Sequence, residues 1–322
     1  GVERRMNDID VNEIQSISVL KDASATAVFG VKGAEGVILI TTKRGVTGKP
    51  KFTLDMNSNV KFLSKTPEKL NSYDGFNYRN NSIEYELPVT ENSWGNYQPM
   101  EMVNRYKQPQ APGDEYIFPD VDWPKEQLKD FALSHRVNFN VSGGTKTARY
   151  FGSLSYTHDG DLLNSGLDNG KGYQSKNAYE RFNFRTNLDL DLTKSTVLSV
   201  NVSGYVGTKF GNPGQDIWRP FYQSAPHTYP ARFPDGAWGF TPVYNVPNPL
   251  MLLNNRGRPT TTRTQVNTDF ILNQKLDFIA KGLSFRGLMA YDNLFYSSGG
   301  IVDNGGQPTR YIDPMVIYMA EG

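Results

Sequence analysis

Residues 181–192 read RFNFRTNLDLDL. Phe182, Phe184, Leu188, Leu190 and Leu192 share one parity, while Arg181, Asn183, Arg185, Asn187, Asp189 and Asp191 share the other. Successive side chains of a strand point to opposite faces, so this stretch predicts a strand with one apolar and one polar side. The pattern recurs outward in both directions. Phe52, Leu54, Met56 and Val60 alternate with polar residues over 51–61, and Val137, Phe139 and Val141 do so over 136–142. Leu154 and Tyr156 alternate with Ser153, Ser155 and Thr157, and Leu198, Val200 and Val202 alternate with Ser199, Asn201 and Ser203. Residues 265–278 set Val266, Phe270, Leu272, Leu276 and Phe278 against Asn267, Asp269, Asn273, Lys275 and Asp277, and 283–292 repeat the pattern more weakly.

Several of these runs exceed the five or six residues typical of soluble strands and match the roughly 9–11 that cross a bilayer at a tilt. A soluble sandwich also alternates, so no single strand decides between the two. The connections decide. Long segments at about 62–135, 158–180 and 207–264 take turns with short ones at 143–148, 193–195 and 280–282. Tight turns at one end and large loops at the other are the pattern of an outer-membrane barrel. The expected fold is therefore an antiparallel membrane β-barrel, present in part as about seven strands over 49–322.

Residues 1–48 have a different grammar. The run EIQSISVL (13–20) suits a short strand, Asp22 a helix N-cap, ASATAVF (23–29) a short helix, and Gly30 its stop. GVILITTKRG (36–45) predicts a buried β-branched strand with a basic end. The glycines follow the helix rather than preceding it, which excludes a phosphate-cradling fingerprint. Composition excludes more. With 34 Lys+Arg against 33 Asp+Glu there is no basic excess for a nucleic acid, and with no Cys and three His there is no zinc or disulfide framework. Residue 1 is Gly and the next ten are mixed polar, so no signal peptide is read, and the chain is expected to be a piece of a longer one.

VLKDASATAVFG (19–30) followed by VKGAEGVILITTKRG (31–45) resembles the C-terminal half of the plug domain in the SusC/RagA family of TonB-dependent outer-membrane transporters from Bacteroidetes-type bacteria. Asp122-Trp123, VNFNVSGGTKTARYFGSLSYTHDG (137–160), YERFNFRTNLDLDLTKSTVLSVNVSG (179–204) and Asn248-Pro249-Leu250 continue the resemblance. The resemblance implies a plugged barrel of about 22 strands that imports an oligosaccharide or a peptide. It also implies energy from the TonB complex, coupled through a segment missing here, and a SusD-like surface lipoprotein as lid. A passive porin-like barrel, a soluble carbohydrate-binding β-protein and a signalling receptor of the same fold are the competing readings.

All four Trp fall in the long connections. Trp94, Tyr97, Trp123, Trp218, Tyr222, Trp238 and Phe240 are the ligand candidates, because aromatic faces stack on sugars and bury peptide side chains. Packing of the loops against one another and the lid explains the same residues. Arg181, Arg185, Asp189, Asp269 and Lys275 are the candidates for contacts between barrel lumen and plug; a merely wet lumen explains them too. Asp120/Asp122 and Asp159/Asp161 read as turn formers rather than a catalytic or calcium pair. No catalytic residue, metal or cofactor is expected.

Overall fold

The computed structural model describes residues 2, 4–21, 36–66, 68–86, 91–211, 218–243, 246–303, 305–306 and 308–321. The helix expected at 23–29, its Asp22 cap and its Gly30 stop lie outside the described residues.

Seven long strands form one antiparallel sheet: β3 (Gly48–Phe62), β4 (Phe131–Gly144), β5 (Ala148–Gly160), β6 (Ala178–Asp191), β7 (Thr196–Phe210), β9 (Gly257–Lys275) and β10 (Ser284–Val302). They lie side by side in the order β10-β9-β7-β6-β5-β4-β3, so each strand pairs with the next long strand in sequence. Two smaller ribbons stand apart: β1 (Ile14–Leu20) with β2 (Val37–Thr42), antiparallel, and β8 (Trp238–Gly239) with β11 (Thr309–Arg310), parallel.

The register carries the alternation across the sheet. Leu54, Phe139, Leu154 and Phe184 are neighbours on one face, as are Leu188, Val200, Phe270 and Met289. On the other face Asn140, Ser153, Arg185, Ser203, Asn267 and Asp292 form a row. Exposure inverts the rule of a soluble core. Phe182 is 45% exposed and Leu154 47%, while Asn183 is 3% and Asn187 1% exposed. The partial barrel wall thus turns its apolar face outward.

Most strands extend past the alternation limits towards the large loops, β9 starting at 257 rather than 265 and β10 ending at 302 rather than 292. The long connections become 63–130, 161–177 and 211–256, and the tight ones 145–147, 192–195 and 276–283. Phe278 therefore lies in a turn rather than in β9. β10 runs on to Val302, where Ser297, Ser298, Gly299 and Gly300 break the alternation but the ladder to β9 continues. Asp159, read as a turn former, is a β5 residue that accepts from Ser134 Oγ at 2.5 Å and pairs with Lys61. The β1–β2 ribbon departs from expectation as well. Ile38 and Leu39, on opposite faces of β2, are exposed rather than buried, and so are Ile17 and Val19 of β1.

The long connections are folded. Helices Ser72–Glu86, Met100–Arg105 and Trp123–Gln127 occupy the first, and Trp218–Gln223 and Pro249–Asn254 occupy the third. Phe76, Met102, Val103, Tyr106 and Phe118 make a conventional apolar core there, joined by Met315 and Tyr318 from the helix Pro314–Glu321. The Asn248-Pro249-Leu250 step starts a helix. Asn248 Oδ1 accepts from the amides of Leu250 and Met251 at 3.0 and 3.1 Å, and Pro249 supplies the first-turn φ. Gly257, at φ 91°, opens β9 where a Cβ would lie 2.1 Å from the Ile301 carbonyl oxygen, so only glycine fits.

Candidate functional site

The polar face of the wall holds the N-terminal segment by charge. Arg4 forks onto Asp269 at 2.5 and 3.0 Å and reaches Asp292 at 2.9 Å. Asp8 accepts from the Tyr205 hydroxyl at 3.0 Å and lies 3.4 Å from Arg263. Asp10 accepts from Ser155 Oγ at 2.9 Å. Glu13, 2% exposed, accepts from Arg185 Nε at 2.6 Å, and both side chains are buried. Just after β2, Arg44 donates to Asp189 at 2.7 Å, and Asn187 Nδ2 donates to the Lys43 carbonyl oxygen at 2.7 Å. The buried Glu13–Arg185 pair is held by geometry rather than by a net gain: removing one partner strands a charge and costs about 3–5 kcal/mol.

Of the five wall residues singled out from sequence, Arg185, Asp189 and Asp269 touch this segment. Arg181 donates to Asn183 Oδ1 at 2.8 Å on its own strand and lies over the Tyr205 ring at 3.9 Å. Lys275 ends β9 at the short-turn rim, where its backbone amide donates to the Ser195 carbonyl oxygen. Sequence reasoning missed Arg4, Asp8, Asp10, Glu13 and Tyr205. Carboxylates at 8, 10 and 13 in a polar segment ahead of a mixed-charge wall were the available signal, but their partners lie 145–255 residues away.

At the opposite end of the strands the long connections lock into one cap. Lys69 Nζ donates to the carbonyl oxygens of Phe221 (2.7 Å) and Ser224 (3.0 Å), and the Val121 amide donates to that of Pro226 (3.0 Å). The Phe76 and His227 rings lie 4.3 Å apart at this seam. Burial, aided by Arg79 and opposed by Asp120, lowers the His227 pKa to about 4, so the ring is neutral there at pH 7. Burial likewise pushes the Tyr229 hydroxyl up to about 12. Burial works against ionisation of Asp114, yet Arg105 at 2.8 Å and the amides of Gln110 and Ala111 hold its carboxyl below the ordinary range.

The seven aromatic candidates divide by burial. Trp123 is fully buried, its Nε1 donating to the Ala225 carbonyl oxygen at 3.2 Å and its ring edge-on to Tyr229. Trp238 is 1% exposed, beneath the Arg232 guanidinium. These two expected ligand residues pack the loops. Trp94, Trp218, Tyr222 and Phe240 are exposed and Tyr97 half-buried. Trp94 meets Tyr97 at 5.1 Å, and Trp218 stacks on Tyr222 one helical turn away. Asp120 accepts from the amide and hydroxyl of Ser72, and Asp122 caps the helix that Trp123 begins. Among the described residues, no three His, Asp or Glu side chains are grouped as metal ligands.

No family model matches the chain. It is 30% identical over 226 residues to TonB-dependent receptor P3 of Formosa agariphila, covering 66% of this chain and 18% of the relative. It is 26% identical over 239 residues to TonB-dependent receptor SusC of Bacteroides thetaiotaomicron, covering 74% and 21%. The chain thus spans about a fifth of the length of these curated relatives. Its fold superposes with TM-score 0.66 on the RagAB peptide importer in its open-open state, at 18% identity, over 94% of this chain and 34% of the other. The chain is SusC/RagA-like: in sequence and in fold it corresponds to part of a TonB-dependent receptor.

Proposed function

We propose that this chain is the part of an active outer-membrane importer in which residues 1–48 are the C-terminal part of the plug and residues 49–322 the first strands of the barrel. The whole protein takes up a nutrient, an oligosaccharide or a peptide, by transport rather than catalysis. It draws on the TonB complex and works beneath a SusD-like surface lipoprotein. The observation that carries this reading is the pairing of two faces on one sheet. The apolar face is exposed, while Asp189, Arg185 and Asp269 on the polar face ion-pair with Arg44, Glu13 and Arg4. A segment tied to a barrel wall by ion pairs and hydrogen bonds, without an apolar core between them, can detach without exposing greasy surface to water. Nutrient arriving at the loop side meets Trp94, Tyr97, Trp218, Tyr222 and Phe240 first.

The test is uptake by cells carrying the full-length protein. Import is expected to stop on deletion of TonB and on deletion of the neighbouring lipoprotein. Uptake that persists without TonB identifies a passive pore and overturns the proposal.

A further inference from the structure

Each tight turn of the wall carries one lysine: Lys146 in 145–147, Lys194 in 192–195 and Lys281 in 276–283. The only carboxylate in those turns, Asp277, is occupied by the Gly282 amide at 2.8 Å. Between them lies a cavity of about 780 Å³ lined by Lys146, Lys194, Lys275 and Arg286, with Leu192 and Phe285 on its flank. Its one acidic wall residue, Asp191, is already forked by Arg149 at 2.8 and 2.9 Å, so the four cations face the cavity without a counter-charge from it.

The frame is fixed, because the Lys275 amide bonds the Ser195 carbonyl oxygen at 2.8 Å and Thr196 Oγ1 bonds Gln274 Oε1 at 2.6 Å. Parity assigns the two kinds of lining to different faces. Lys275 and Arg286 lie on the polar face of the wall. Phe285, opposite Gln274, and Leu192, two beyond Leu190, lie on the apolar face. The cavity therefore straddles the rim of the wall, cationic on one side and apolar on the other.

We infer that this rim binds an anionic phospholipid of the membrane leaflet on the short-turn side. The phosphate sits among Lys146, Lys194, Lys275 and Arg286, and the first carbons of the acyl chains lie along Leu192 and Phe285. The inference rests on the membrane reading of the wall proposed above. Basic side chains are drawn to an anionic leaflet, and a headgroup cradled by four of them outcompetes a zwitterionic one.

The experiment reconstitutes the full-length protein in nanodiscs of phosphatidylglycerol and phosphatidylcholine and measures retained lipid by native mass spectrometry. The wild type is expected to retain phosphatidylglycerol about tenfold over phosphatidylcholine, corresponding to about 1.4 kcal/mol. The quadruple variant Lys146→Gln, Lys194→Gln, Lys275→Gln, Arg286→Gln is expected to approach parity, and Lys281→Gln alone to change little. Equal retention of both lipids by an inserted wild type overturns the inference and leaves the membrane reading intact. Failure to insert overturns both. Inorganic phosphate that displaces the lipid preference at millimolar concentration makes a free anion the ligand, and an acidic peptide bound in place of lipid makes a protein segment the occupant; either result also overturns it.

Discussion

The wall and the cap of this chain bury opposite things. In the seven-stranded wall, Asn138, Asn183 and Asn187 are enclosed while Phe139, Phe182 and Leu154 stand exposed. In the cap, Val103, Phe76, Trp123 and Trp238 are enclosed. One sequence therefore follows two solvents. The cap obeys the ordinary rule that apolar area leaves water, worth about 25 cal/mol per Å². The wall obeys it only if its outer face meets hydrocarbon. A substitution therefore acts differently according to which of the two regions carries it.

The largest effect is expected from Trp123→Ala in the cap. It empties a fully buried indole site, and such truncations cost about 3–5 kcal/mol. In the full-length protein, hydrogen exchange of amides across 70–130 and 218–230 should accelerate accordingly, with the strands unchanged. Global unfolding of the wall instead would show that cap and wall are one cooperative unit.

Val200→Arg, at mid-strand on the apolar face, is expected to cost about 2–4 kcal/mol in a bilayer. Asn201→Ala, next to it on the polar face, should stay within about 0.5 kcal/mol. Urea unfolding in lipid vesicles measures both. Equal effects would mean that the two faces are assigned wrongly.

The His227 seam adds a pH test. Its folded pKa, about 4, lies below the ordinary 6.5, so the unfolded cap binds the proton first as pH falls. The contribution is complete above pH 6.5 and lost progressively between 6.5 and 4, by at most about 3 kcal/mol. Protease sensitivity of the cap should rise over that window, and His227→Gln should flatten the rise. A seam whose sensitivity does not change with pH in the wild type would place His227 in water.

The wall was legible because alternation of period two survives whatever the strand packs against. Residues 181–192 located β6 to within a few residues of Ala178–Asp191. The cap was not legible in the same way. The helix Ser72–Glu86 contains Gly75, three Asn, two Ser, Asp74 and three Tyr, all poorer helix formers than Ala or Leu. It is held by burial of Ser72, Phe76, Asn80 and Ile83, whose spacing of four, four and three was its one readable signal. Charges on the polar face could be named from sequence, as Arg185, Asp189 and Asp269 were. Their partners could not, since no local rule links Glu13 to a residue 172 positions on. Aromatics were named as a class, and only folding separated the buried Trp123 and Trp238 from the exposed Trp94 and Trp218.

The smallest effect follows from that separation. Trp94→Ala removes a side chain that is 45% exposed, so cap stability should change by less than about 0.5 kcal/mol. Thermal unfolding of the full-length protein checks this, and a shift as large as that of Trp123→Ala would make Trp94 a packing residue.

Whether the wall turns its apolar face to lipid is directly measurable by spin labelling, to which a stretch of chain without cysteine is suited. Single cysteines placed at successive positions of 182–188 and 198–203 in the full-length protein would carry a nitroxide label in lipid vesicles. Even positions are predicted to be accessible to oxygen dissolved in the bilayer, and odd positions to be shielded from it. Uniform access of both parities to a water-soluble relaxant would contradict the account.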